Sequence, residues 1–315
     1  MAIFNAHDAI GQREDLTDVI ANISPTETPF QSSIGKTKAT AVYHEWQTDS
    51  LAAATTNNAA VEGADASDAT LSPTVRLGNY TQILQKTIKV SGTLDAVNKA
   101  GRKSEKAYQL AKASAEIKRD LETILLANQG RSAGTSNSTA RKMAGLLSWL
   151  KTNTSVVTST NNPTTIGVST RTDGTQRTFT EQLLKDAVAS VFGSGGNPKV
   201  LMVGTSGKQK VSSFAGIAAQ RYMAPSDTPT TIIGAADVYM SDFGSMSVVP
   251  NRFMRTRDAL VLDPEYAALA YLRPFQTNEL AKAGDSDKTQ LLVEATLEVK
   301  NEAAHALIAD LDMSL

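Results

Sequence analysis

Between Leu94 and Asn128 the apolar positions of the chain recur at helical spacing. From about Lys103 onward Ala107, Leu110, Ala111, Ile117, Leu121, Ile124 and Leu125 fall on one side of a helix with 3.6 residues per turn. That side is predicted to be buried. The opposite side carries Lys112 with Glu116, Glu116 with Asp120, and Lys118 with Glu122 at i,i+4 spacing, so it is predicted to be solvated or to meet another subunit. Asn128, Gly130 and a Ser/Thr/Asn/Gly cluster end the run. Roughly 25 residues at 1.5 Å each make a rod of about 38 Å, long enough to act as a spine.

Before the spine, residues 39–92 hold two β-favouring runs, ATAVYHEWQT and VRLGNYTQILQKTIKVSG. They enclose LAAATTNNAAVEGADASDATLSP, rich in Ala, Thr, Asn and Asp. The pattern predicts a long protruding hairpin with a polar tip. Residues 1–38 read as an extended arm. Pro25 and Pro29 interrupt it, and only Ile23, Phe30 and Ile34 are available to bury, so the arm must dock on its own subunit or a neighbour.

After the spine, AGLLSWLKT supplies a short apolar anchor around Leu146, Leu147, Trp149 and Leu150. Thr180 is the predicted N-cap of a helix over EQLLKDAVASVF, with Leu183, Leu184, Ala187, Val188 and Val191 inward, closed by Gly193–Gly196. KVLMVGTS reads as a buried strand followed by a helix. TTIIGAADVYMSDFG, MSVVPNRFM, DALVLDP and AALAYLRPF read as short strands. In QLLVEATLEVKNE, Leu291, Val293, Ala295, Leu297 and Val299 alternate with a mostly polar set. The chain is therefore α+β, with a mixed unit inserted between a helix-and-strand unit contributed by both ends.

At 315 residues, with 41% hydrophobic and 20% charged positions, the chain can bury a substantial core. It has no cysteine, which excludes disulfides, and no apolar run of about 18 residues to span a membrane. The sequence MAIFNAHDAIGQRED lacks a signal-peptide pattern, so a cytoplasmic origin is expected. A net charge of −1 argues against a dedicated nucleic-acid binder. Charge is unevenly placed, however. Residues 99–142 hold ten basic and four acidic side chains, whereas 258–315 hold eleven acidic and four basic ones. These segments attract, either within one chain or across adjacent subunits.

Motifs for chemistry fail on inspection. VGTSGKQK at 203–210 has Met202 where a phosphate loop needs its first Gly and Gln209 where it needs Ser or Thr. His7, His44 and His305 have no second ligand at metal spacing. Asp285, Asp287 and Thr289 begin like a calcium loop, but Gln290 and Thr296 stand where Gly and Glu are required. Ser206 is not in a nucleophile elbow. No enzyme, cofactor or metal is expected.

The order of parts resembles the major capsid protein family of tailed bacteriophages, the Hong Kong 97 (HK97) fold. The resemblance rests on the arm SPTETPFQSSIGKTKA, the hairpin with its acidic Ala-rich tip, the spine helix, the GLLSWL segment and the returning QLLVEATLEV strand. It implies an N-arm (1–38), an E-loop (39–92), a P domain with the spine helix (93–177), an A domain (178–275) and a return to the P domain (276–315). It implies a virion capsid of hexamers and pentamers around double-stranded DNA, assembled in the host bacterial cytoplasm. It also implies portal and scaffolding partners, a possible decoration protein, and no membrane partner. Because no coiled coil precedes the arm, a separate scaffolding protein is the expectation. Candidate intersubunit residues are Phe30, Trp46, Glu62, Asp65, Asp68, Arg76, Lys99, Arg102 and Lys103. An encapsulin-like nanocompartment with the same fold, and a soluble α+β ligand-binding protein or enzyme, are the alternatives.

Overall fold

The computed structural model describes residues 26–63, 65, 68–98, 101, 103–135, 138–214 and 237–314. In chain order the elements are α1 (Pro29–Ser33), β1 (Gly35–Lys38), β2 (Tyr43–Thr48), β3 (Val75–Tyr80), β4 (Gln82–Ser91), α2 (Gly92–Ala96) and the long α3 (Glu105–Leu125). Next come α4 (Leu146–Trp149), β5 (Thr154–Ser155), β6 (Arg177–Thr178), α5 (Glu181–Gly193), β7 (Val200–Val203), α6 (Thr205–Ser212) and β8 (Val238–Ser241). The chain finishes with β9 (Gly244–Pro250), β10 (Ala259–Leu262), β11 (Ala267–Leu280), β12 (Ser286–Val299), β13 (Ala306–Ile308) and β14 (Leu311–Asp312).

The spine is shorter than predicted. Ser104 caps α3 by accepting the Ala107 N–H, and the helix runs 21 residues, about 32 Å. Its buried line is Ala113, Ile117, Leu121 and Leu125, set at four-residue intervals. Ala107 and Ala111, predicted to be inward, are exposed. Ala113 and Ile117 pack on Leu291 and Val293 of β12, so the contact follows one steep ridge rather than a broad face. Glu122, predicted to pair with Lys118 on a face that is solvated or meets another subunit, is fully buried within its own chain. On the outer side, Lys86 of β4 reaches Glu116 at 2.6 Å and Asp120 at 3.7 Å, which places a cation between two like charges.

Two sheets flank the spine. One has the order β1-β11-β12-β4 and the other β5-β13-β10-β7-β9-β8. Residues 178–275 therefore do not coincide with one sheet. From Ala267 onward β11 lies beside β1 and β12, while β5 and β13, distant in sequence, complete the six-stranded sheet. The return run splits at Thr81, with β3 pairing only with β2 and β4 pairing with β12. Pro274, near the end of the predicted strand AALAYLRPF, is accommodated by register shifts between Tyr271 and Gln276, and β11 continues to Leu280.

Strand β10 shows how the core is shared. All four of its residues are buried: Leu260 and Leu262 join a cluster with Leu121, Trp149 and Leu297, while Ala259 and Val261 join another with Leu184, Val188 and Val191 of α5. Alternation along one strand thus feeds two cores, one on each face of the sheet. The predicted anchor fits this frame, because Leu146, Leu147, Trp149 and Leu150 are all buried in the first cluster. The Thr180 hydroxyl caps α5 by accepting the Leu183 N–H. In β12, Glu294, Thr296 and Glu298 are as buried as their apolar neighbours, so the polar face of this strand is internal.

Candidate intersubunit surfaces

The hairpin is built on a tight two-stranded base. Strands β2 and β3 pair from Tyr43 with Tyr80 to Thr48 with Val75. Gly78 is needed there, since a Cβ would come within 2.8 Å of the Tyr43 ring. The Arg131 guanidinium donates to the Gly78 carbonyl and lies 5.4 Å from the Tyr43 ring centre. Below the base, buried Asn79 donates to the Leu297 carbonyl at 2.8 Å and accepts the Ala144 N–H at 2.8 Å. Buried Thr81 donates to Glu294 at 2.7 Å. The hairpin is thus bolted to β12 by polar side chains held out of water.

Beyond Thr48 the described residues of 49–74 form neither helix nor strand and are all exposed. Leu51 is 98% exposed and Leu71 88%, and Val61 is exposed with them. Side chains of this size on a protruding loop gain stability only when another surface covers them. Glu62, Asp65 and Asp68 share the same exposed tip. Arg76 lies within β3, opposite Gln47 of β2, and its exposed side chain pairs with Glu45 at 3.0 Å. Lys103 is exposed beside the start of α3, whereas Lys99 and Arg102 lie outside the described residues.

Two of the candidates turn inward instead. Phe30 is fully buried in its own chain, against the cluster that contains Leu121 and Trp149. Trp46 is half-buried, with its ring centre 5.3 Å from that of Trp149. Phe30 offers a neighbour no free aromatic face. It turns inward because the arm docks on the spine of its own subunit, and Trp46 does so because β2 lies against the Trp149 anchor.

The agent of the arm's docking is Glu122, on the face predicted to be solvated or to meet another subunit. Its carboxylate accepts the backbone N–H groups of Phe30 at 2.7 Å and Gln31 at 3.0 Å, and an Asn251 Nδ2 hydrogen at 2.7 Å. Thr28, at the N-cap of α1, makes no side-chain capping bond, so Glu122 takes that part from 92 residues beyond Phe30 in sequence. Glu294 is a second buried hub, which accepts from Thr81, from Arg141 at 2.7 Å and from Arg273 at 2.8 Å. Glu298 is a third, with Thr37 at 2.9 Å and His44 at 3.3 Å. The uneven charge is therefore partly matched within the chain, through Arg141 to Glu294 and Lys106 to Glu279 at 2.9 Å. A carboxylate inside an apolar run, as at Glu294 and Glu298, is the signal that could have marked these hubs.

The edge of the six-stranded sheet is a further outward apolar patch that sequence reasoning missed. Met240 of β8 is 82% exposed, Val238 is exposed beside it, and the rings of Phe192 and Phe243 stack with centres 4.7 Å apart. Nearby, Tyr239 donates to Glu181 at 3.2 Å, and burial together with that carboxylate pushes its hydroxyl up to about 12. Among the described residues no His, Asp or Glu group is arranged to hold a metal, and no helix is long and apolar enough to cross a membrane.

Comparison with known proteins agrees with this architecture. A family model described as SU10 major capsid protein matches residues 3–312. The major capsid protein of Escherichia phage Phieco32 is 44% identical over 129 residues, a match that spans 41% of this chain but only 37% of that protein. Among solved structures, the cyanophage A-1(L) capsid asymmetric unit has a TM-score of 0.64 at 13% identity, with 98% of each chain covered. The capsid of a native GTA particle has 0.66 at 11% identity, again over 98% of each. The holo-SrpI encapsulin complex of Synechococcus elongatus has 0.56 at 10% identity, over 97% of this chain and 94% of that one. At such identities the likeness establishes the fold, which is the α+β fold of HK97-type capsid proteins.

Proposed function

Because the chain belongs to the SU10 major capsid protein family, we propose that it is the subunit that closes into the icosahedral shell of a tailed-bacteriophage head, by association into hexamers and pentamers. The observation that carries this reading is the hairpin of residues 43–80, whose exposed Leu51, Val61 and Leu71 have nothing to bury against in one chain. In this reading the hairpin is the E-loop, α3 with β11 and β12 is the P domain, and the six-stranded sheet is the A domain. Its acidic tip (Glu62, Asp65, Asp68) meets a basic segment of a neighbour, for which Lys99, Arg102 and Lys103 are the candidates, and Arg76 flanks the contact. The charge difference sets register and encounter rate more than affinity.

The shell encloses double-stranded DNA without sequence-specific contact, in keeping with a net charge of −1. A portal, a scaffolding protein and a decoration protein are its proposed partners, and assembly takes place in the host bacterial cytoplasm before the shell becomes part of the virion. Expression alone and with a scaffolding protein, followed by light scattering and negative-stain microscopy, tests the proposal. Closed shells are expected. A stable monomer under every salt and scaffold condition removes the shell reading, and shells loaded with a cellular enzyme instead of genome replace it with a nanocompartment.

A further inference from the structure

The richest group of titratable side chains that the shell reading leaves unused lies where three loops meet at one end of the six-stranded sheet. The loop before β6 contributes Arg171 and Asp173, the β9–β10 turn contributes Arg255, Arg257 and Asp258, and the turn between β13 and β14 contributes Asp310. Asp310 holds a left-handed backbone (φ 58°) that non-glycine residues seldom adopt, which points to a position imposed by its surroundings. The backbone of Arg171 is pinned from both sides by Asn128, with bonds of 2.9 and 2.8 Å, so its side chain is delivered to this place deliberately.

The outer half of the group is mostly paired, although Arg255 Nη1 and Arg257 Nε have no hydrogen-bond partner among the described residues. Asp173 meets Arg255 at 2.5 Å and Arg257 at 3.4 Å, and Asp310 Oδ1 accepts from Arg257 at 3.0 Å and from the Gly174 N–H at 2.8 Å. The inner half is not. Arg171 is 3% exposed, yet none of its three guanidinium nitrogens has a hydrogen-bond partner among the described residues. Both carboxylate oxygens of Asp258, which is 1% exposed, and Oδ2 of Asp310 are in the same position. Asp258 has one ion-pair contact, to Arg255 at 3.4 Å, without hydrogen-bond geometry. Arg171 feels the charges of Asp258 and Asp310 but forms no ion pair with either, an arrangement that a bridging molecule satisfies. Burial pushes the Asp258 carboxyl up and the Arg171 guanidinium down, as it does for charges without direct partners.

The chemistry selects the bridge. Three guanidinium groups repel a metal cation, and three carboxylates repel an anion. The free groups comprise both donors and acceptors, so the occupant must accept from Arg171 and donate to Asp258 and Asp310 at once. We propose that ordered water molecules bind between the Arg171 guanidinium and the Asp258 and Asp310 carboxylates, making a water-bridged ionic joint that ties the 156–176 loop to the six-stranded sheet. The joint rests on side chains within one chain and stands or falls independently of the shell reading.

Cryo-electron microscopy of the particle, or crystallography of the subunit, at a resolution that shows ordered water is the direct test. Density is expected within hydrogen-bonding distance of both Arg171 and Asp258, unchanged when chloride in the buffer is replaced by bromide. Arg171 in direct contact with Asp258, absence of density between them, or a peak that takes up bromide overturns the proposal. Thermal unfolding of Arg171→Met, Asp258→Asn and the double variant adds a second readout. Each single change should lower the midpoint, and the double variant should recover part of the loss because neither charge is then left alone. Strictly additive losses count against the joint. Should Arg171→Met not fold, the wild-type density still decides.

Discussion

The carboxylate of Glu122 accepts the backbone N–H of Phe30 at 2.7 Å, so a residue in the last turn of the spine helix caps a helix that begins in the arm. Glu122→Ala would leave the Phe30 and Gln31 amides buried without acceptors, at a cost of about 2 to 4 kcal/mol. Glu122→Gln keeps one acceptor oxygen and should cost less. Chemical denaturation of the soluble subunit should rank the chains wild type, Gln, Ala, and an alanine variant as stable as wild type would show that the arm is held by apolar contact alone.

Ile117 stands in the middle of the buried ridge of α3, 1% exposed and packed with Leu291 and Val293. Ile117→Asp buries a carboxylate with no cation placed to meet it, and several kcal/mol of stability should be lost. The expected result is insoluble protein and no particles. Ala111→Asp, on an exposed position of the same helix, should leave the yield near wild type. Comparable yields from both variants would contradict the observed register.

His305 is 1% exposed, accepts the Asp263 N–H through Nδ1, and is held down to about 4 by burial. A histidine whose folded-state value lies below its ordinary 6.5 favours folding as the neutral ring. Its contribution is therefore complete above about pH 6.5 and fades as pH falls toward 4, since the unfolded chain binds the proton more readily. The full span amounts to about 3 kcal/mol as an upper figure. Unfolding free energy measured between pH 7 and 4 (bounds set by the same linkage) should decline, and His305→Asn should flatten part of that decline. An identical slope in the variant would assign the acid sensitivity to other groups.

The exposed tip supplies a test of intersubunit contact. No Lys or Arg occurs between Lys38 and Arg76, so trypsin does not report on it, whereas Glu62 is exposed to a glutamate-specific protease. Cleavage at Glu62 should be rapid in dissociated subunits and slow in assembled particles, where a neighbour covers the tip. Equal rates in both states would make the tip a solvent-facing loop and refute the clasp.

Local pattern by itself determined the elements whose signals lie within a few residues of one another. The Thr180 cap and the inward face of α5, the LLSWL anchor, and the paired runs on either side of the polar tip are all consequences of short-range chemistry, and each appears in the structure. The order of these parts also sufficed to point to the family. Tertiary structure decided what distance in sequence conceals. Whether Ala107 or Ala113 faces inward depends on which ridge of α3 meets β12, and helical periodicity allows either. Whether Glu122 is a surface charge or a helix cap depends on an arm 92 residues away at Phe30. Whether Glu294 and Glu298 lie in water depends on Arg141, Arg273, Thr37 and His44, which arrive from other loops and strands. A carboxylate reads the same in sequence in either setting. It becomes internal only where folding brings donors enough to replace its water, and those donors are gathered by long-range pairing of strands that no local pattern specifies.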